Sequence, residues 1–318
     1  MNTTTKTRTK KAKFWQSVIS VIVMTGFLSC SKDANQSSPN PVATPKTIDT
    51  DYTLKDNETC SGTVSLSAEV YVPQGKTLTI EAGTKVKIYS ADAELTIHGS
   101  LLIKGTSSNV VRIYAPTISN KGYDWNGIDF YGEKLDASYC VTSDALSGIS
   151  LYRSTTNNPI IINHCLFARC PASIYDYANG TPVIVTNSTF LESGLFAYTI
   201  AGGNKKITID ACVFDNNLEA IRLESESSTD TRSTIVNVTK SNFLQEGIIG
   251  FIYARGTPAN VSLTLSGCYG LKPSYPIDKS RGSSITITGS VSAPINGIGS
   301  GLTLDRTARI VSPSMTVQ

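Results

Sequence analysis

The side chains best placed to hold another molecule are Tyr175, Tyr198 and Arg222, which follow the apolar residues Ile174, Ala197 and Ile221. If those apolar residues face inward on strands, their neighbours face outward at a repeating step. Tyr152 and Tyr177, with Tyr131, fall near the same edge. Aromatic faces at a constant step suit stacking on successive sugar rings, and a phenol adds a hydroxyl for hydrogen bonding. Tyrosines also favour strands and can pack on one another. The segments Tyr152–Asn158, Ala201–Lys205 and Glu224–Ser233 differ in length between repeats and emerge at this edge. Insertions on one edge of a repeat array commonly mark its binding side.

Acid–base chemistry is harder to find. A retaining glycosidase needs two carboxyl groups about 5 Å apart and an inverting one about 6.5–9.5 Å apart. The outward column Ser150, Tyr175, Tyr198, Arg222, Phe251 and Asp278 offers no two acids on adjacent repeats. Nor does the bend column Ser138, Asn163, Thr186, Asp210, Thr239 and Ser266. A calcium-assisted lyase would want clustered carboxylates and a base, and Arg222 with Glu224 is the nearest approach. Asp144, Arg169, Glu192 and Asn216 form another column that begins with alternating sign, expected as solvated ion pairs worth about 0–1 kcal/mol each.

Of the seven cysteines, Cys140, Cys165, Cys212 and Cys268 share one column with Ser188, Ser241 and Ser290. Small residues stacked under a bend are a packing solution, and a free cysteine behaves as a small hydrophobe. These four are expected reduced and buried, while the sequence assigns no role to Cys60 or Cys170. No metal site and no cofactor are expected, since there is no CxxC and only His98 and His164. Both histidines read as exposed turn residues at the bend equivalent to Asp210–Ala211.

These columns exist because the chain repeats itself. Ile207–Leu223 alternates at Ile207 and Ile209, bends at Asp210–Ala211, alternates again at Cys212 and Phe214, and turns towards Ile221 and Leu223. Alternation with period 2 broken by short polar bends means strands. Apolar pairs precede each column member at Ile160/Ile162, Val183/Val185, Val236/Val238, Leu263/Leu265 and Ile285/Ile287, and an aromatic follows at Phe167, Phe190, Phe214 and Phe243. Nine residues after the column come Ile149, Ile174, Ala197, Ile221, Gly250 and Ile277. A period of 22 to 29 residues with constant internal spacing marks a solenoid.

Further N-terminal segments, Lys76–Ile88 (KTLTIEAGTKVKI), Leu95–Thr106 (LTIHGSLLIKGT) and Trp125–Phe130 (WNGIDF), share the pattern. Over roughly Val70 to Leu304 the chain resembles the right-handed parallel β-helix of the pectin-lyase-like superfamily. Its WNGIDF is similar to the W-x-G-I segment of bacterial members. The resemblance implies an all-β right-handed parallel β-helix of about ten coils and leaves activity open, because that superfamily holds lyases, hydrolases, adhesins and inert scaffolds.

The first 29 residues read as a signal peptide, with Lys6, Arg8, Lys10, Lys11 and Lys13 ahead of the apolar Phe14–Leu28. Phe27–Cys30 resembles a lipobox, which implies lipidation at Cys30, and Ser31–Asp33 resembles a short surface-export tag. Residues 30–50 are rich in Ser, Asn, Thr and Pro and read as a flexible tether. Residues 51–318 are assigned to the β-helix, with an N-terminal cap over its first coil. Removing the five basic residues of the signal takes 28 basic residues to 23, against 25 acidic. That balance leaves no basic strip for nucleic acid.

The expectation is an exported β-helix anchored by lipid to the outer membrane, with the cell surface as its working face. There it binds a glycan or another extracellular partner without catalysis. The alternatives are a polysaccharide lyase or glycoside hydrolase with a loop-built site, and a structural or adhesive surface scaffold.

Overall fold

A computed structural model describes residues 46–117, 123–152, 158–201, 205–224, 233–244, 252–255, 261–271 and 284–302. Cys30, the signal peptide, Phe251, Ile277 and Asp278 lie outside the described residues, as does most of each variable loop. The rest is an all-β parallel solenoid, consistent with a right-handed parallel β-helix. Three parallel sheets hold nine, nine and ten strands among the described residues, slightly short of the ten full coils expected. The first strand is Lys46–Ile48, paired with Thr63–Leu66, so the solenoid starts inside the stretch read as tether. Residues expected to cap the first coil supply strands of their own, such as Glu58–Cys60 and Glu69–Val72.

Each coil gives one strand to each sheet. In the repeat described above, Lys205–Asp210 lies in sheet 3, Val213–Asp215 in sheet 1 and Glu219–Glu224 in sheet 2. The two-residue connection between sheets 3 and 1 is Ala211–Cys212, not Asp210–Ala211, because Asp210 stays in its strand and Ala211 adopts a left-handed backbone, φ 53°. Tyr139, His164, Asn187 and Lys240 do the same in other coils, with φ between 45° and 50°. A second left-handed column, Asp144, Arg169, Glu192 and Asn216, turns the chain from sheet 1 towards sheet 2. Such a backbone costs a non-glycine residue roughly 1–2 kcal/mol. Here the hydrogen-bond ladder runs straight through the bends: Ala211 N–H donates to Thr239 O, Lys240 N–H to Ser266 O and Arg169 N–H to Leu191 O.

The interior follows the expected register. Val185, Ile209, Val238 and Leu265 are successive buried partners, with Ile287 continuing the row exposed in the last described coil, and Phe167, Phe190, Phe214 and Phe243 are successive partners too. The phenylalanine rings stack with centroids 5.6, 4.8 and 4.9 Å apart. Cys140, Cys165, Cys212 and Cys268 are free and buried. The serines between them do polar work: Ser188 Oγ accepts from Cys165 N–H and donates to Thr186 O, and Ser241 serves Cys212 likewise.

Two expectations need correction. The Asp144 column is not simply a row of solvated ion pairs: Arg169 grips Asp144 with Nε at 2.8 Å and Nη2 at 3.3 Å, and Asp144 is buried. Tyr198, not Ala197, pairs with Ile174 and Ile221. The physical cause is one extra residue in the preceding turn. Between the left-handed bend and sheet 2 the chain has Ser193–Leu195, where the coil before has Cys170–Pro171 and the coil after has Asn217–Leu218. Leu195 protrudes with 49% exposure, and every later residue of that strand shifts by one.

A stacked phenylalanine leaves a hole that neighbouring coils cannot close. Phe214→Ala should cost about 3–5 kcal/mol in denaturant unfolding, whereas Lys206→Ala, at an exposed position, should stay within about 0.5 kcal/mol. Equal effects would remove the ring stack from the stability account.

Candidate functional site

The outer face of sheet 2 carries the sequence candidates, though not as a platform of open rings. Tyr152 and Tyr177 follow the ends of successive sheet 2 strands and are half-buried. They belong to a stack that runs His98, Tyr131, Tyr152 and Tyr177, with centroids 4.8, 4.6 and 5.8 Å apart and planes within 9° of parallel. Tyr71 extends it below His98. Tyr175 packs on Tyr177 at 4.3 Å and meets Phe196 edge-on at 5.7 Å. Arg222 lies in the column of Tyr175 and Thr199, its guanidinium 4.9 Å over Phe196 and its Nε 2.9 Å from Glu219. The rings cover one another, so the column presents ring edges instead of open faces.

Tyr198 is absent from this face. It points inward, fully buried, and its hydroxyl donates to Asp176 at 3.0 Å. Neither histidine is a plain exposed turn residue. His98 follows Glu94–Ile97 at the sheet 2 edge, a different bend from Ala211, and stacks between Tyr71 and Tyr131. His164 does share the bend of Ala211, but it is half-buried against Tyr139 and bonded to Asn163. Among the described residues no cluster of three or more His, Cys, Asp or Glu is placed to hold a metal.

Sequence reasoning missed the carboxyl pair Glu94 and Asp129 beside this stack. Glu94 opens its strand and Asp129 sits one coil later, in register with Thr96. A local irregularity aims Asp129. Gly127 has φ 119°, and a Cβ there would meet Ser147 O at 1.8 Å. The next strand also carries one extra residue between the partners of Gly127 and Asp129. Asp129 is hydrogen-bonded to Glu94, Ser150 and Tyr152. Glu94 accepts from Thr96 Oγ1 at 3.0 Å.

Burial first, and the Glu94 carboxylate second, push Asp129 from the ordinary 3.8 up to about 7, against the pull of Ser150 and Tyr152. Burial and then the Asp129 charge push the Tyr131 phenol up to about 12, and Tyr152 is raised for the same two reasons. Both phenols therefore remain donors near neutral pH. The ensemble offers hydroxyl donors, a carboxylate acceptor and a carboxyl that changes protonation around neutrality. The two acids act on each other directly, the Glu94 carboxyl raising Asp129 both by charge and by hydrogen bonding.

The chain matches no family model, no curated protein and no solved structure.

In the folded state Asp129 holds its proton from 3.8 up to about 7. The unfolded chain has lost it there, so folding stability falls as pH rises through that window. Asp129→Asn removes the charge and keeps the shape. Melting curves should show it more stable than wild type by at least about 2 °C near pH 8, with no gain near pH 4. Parallel pH profiles for the two proteins would show that Asp129 is not held protonated.

Proposed function

We propose that this solenoid binds a polysaccharide along the outer face of sheet 2 without cleaving it. The carrying observation is the group of Glu94, Asp129, Tyr131 and Tyr152 on three successive coils, which sets carboxyls beside phenols and apolar ring edges. A glycan strand needs that mixture of hydrogen-bond acceptors for its hydroxyls and apolar contact for its C–H edges. Repetition at about 4.8 Å per coil gives an extended chain equivalent contacts along its length. The pectin-lyase-like resemblance supports a saccharide ligand by analogy. The lipobox-like Phe27–Cys30 and the polar stretch behind it support display from the outer membrane through a lipid on Cys30.

A second reading, hydrolysis, is favoured by one observation. Asp129 titrates near neutrality beside a second carboxylate, and perturbed acids gather at catalytic sites. The direct interaction of the two carboxyls weighs against it, since a glycosidase pair has to flank the bond that it cleaves.

A panel of neutral and acidic polysaccharides, measured by affinity electrophoresis and by release of reducing ends and unsaturated products, separates the readings. Retention without product is expected. Tyr152→Phe keeps the ring in the stack and removes the hydroxyl. It should weaken retention about 2- to 13-fold, the worth of one hydrogen bond of about 0.5–1.5 kcal/mol, with only the small fall in Tm that losing its bond to Asp129 brings. Product release would establish the hydrolytic reading. Failure of every glycan to bind the wild type, or full retention by Tyr152→Phe, would overturn the proposed binding face.

A further inference from the structure

Away from the outer face, one buried cluster has the chemistry of a covalent cross-link. Asp176 ends the strand Ala172–Asp176, and Lys205 begins the strand Lys205–Asp210, with the coil Val183–Ala201 between them in the chain. Both side chains have 0% exposure, and Lys205 Nζ lies 2.6 Å from Asp176 Oδ1. Nζ also donates to the main-chain oxygen of Asp176 at 3.1 Å. Tyr198 Oη donates to the other carboxylate oxygen, Oδ2, at 3.0 Å, and Ala178 N–H donates to Oδ1 at 3.0 Å.

We propose that Asp176 and Lys205 close into an intramolecular amide, making a covalent loop of the intervening coil Val183–Ala201. The inference stands apart from the glycan reading and uses none of its residues. An ammonium and a carboxylate lose their hydration at this depth, and their mutual attraction only partly offsets the loss. Amide formation removes both charges with the atoms already in place. Nζ gives one proton to Oδ1 and attacks Cγ, forming the C–N bond. As the tetrahedral centre forms, negative charge collects on Oδ2, where the Tyr198 hydroxyl already points. Burial, and then the Asp176 charge, hold that phenol well above its ordinary pKa, so it stays a donor. A second proton passes from nitrogen to Oδ1, the Cγ–Oδ1 bond breaks, and one water leaves. Nothing is oxidised or reduced and no co-reactant is consumed.

The product keeps two of the contacts and gives up one, since the Ala178 N–H loses its acceptor when Oδ1 leaves as water. Its carbonyl oxygen, the former Oδ2, keeps the Tyr198 hydrogen bond, and its remaining N–H keeps the Asp176 main-chain oxygen. Holding amine and carboxyl in contact in a dry site supplies the proximity that such a condensation lacks in water.

Intact-mass spectrometry of the folded full chain decides the matter, followed by tryptic mapping. The expected result is a mass one water lighter than the sequence of the recovered polypeptide. A branched peptide joining Asp176 to Lys205, with no tryptic cut after Lys205, should accompany it. Lys205→Met should restore the full mass. Tyr198→Phe keeps the ring and the ion pair but removes the donor on Oδ2, and should slow closure by roughly 100-fold. A wild-type chain at full mass after prolonged incubation, or Asp176 and Lys205 recovered in separate linear peptides, would make the contact an ordinary ion pair and overturn the inference. Closure at the wild-type rate in Tyr198→Phe would overturn the mechanism assigned to Tyr198.

Discussion

The parallel hydrogen-bond ladder has to survive the corners of every coil, and at two of the three it runs through a left-handed residue. A parallel strand cannot satisfy its backbone groups alone, and a sheet that ended at each corner would leave buried polar groups without partners. The left-handed residues at Tyr139, His164, Asn187, Ala211 and Lys240 solve this, because each passes its own N–H to a carbonyl in the next coil. Asp144, Arg169, Glu192 and Asn216 do the same at the second corner. The strain is local and repeated, and the ladder offsets it only if every coil turns at the same place. That requirement fixes the register of the interior columns and, through strand alternation, of the outer face.

Register then decides what the outer face offers. Coils about 4.8 Å apart bring equivalent aromatic rings to stacking distance, so the His98–Tyr177 column closes on itself and presents edges. The same spacing pulls Asp129 against Glu94, and the resulting repulsion together with burial holds a proton on Asp129.

From Cys140 onwards much was legible in the sequence. The cysteine–serine column, the phenylalanine column and the paired aliphatics before them lie where alternation put them, because each coil's sheet 3 to sheet 1 corner has constant length. Tyr198 was misread because the second corner of its coil gained a residue, and Ala197, Tyr198 and Thr199 are all buried, so alternation gave no warning. The Glu94–Asp129 pair was invisible for another reason. Before Cys140 no cysteine or phenylalanine column anchors an alignment, and the long connection between Tyr114 and Trp125 breaks the period. Matching Ile97 of LTIH to Phe130 of WNGIDF would have put Asp129 one coil above Thr96 and shown Glu94 beside it. The left-handed bends carry Tyr, His, Arg and Glu as well as Asn, so residue type alone did not mark them.

Thiol labelling tests the stacked register most directly, since five cysteines report on it from inside. Cys140, Cys165, Cys170, Cys212 and Cys268 are buried and free, and Cys60 is partly exposed. Native protein should label at Cys60 and hardly at the other five, and denatured protein without reductant should label at all six. Fast labelling of Cys212 in the native state, or its protection after denaturation without reductant, would contradict the register on which the fold and its outer face depend.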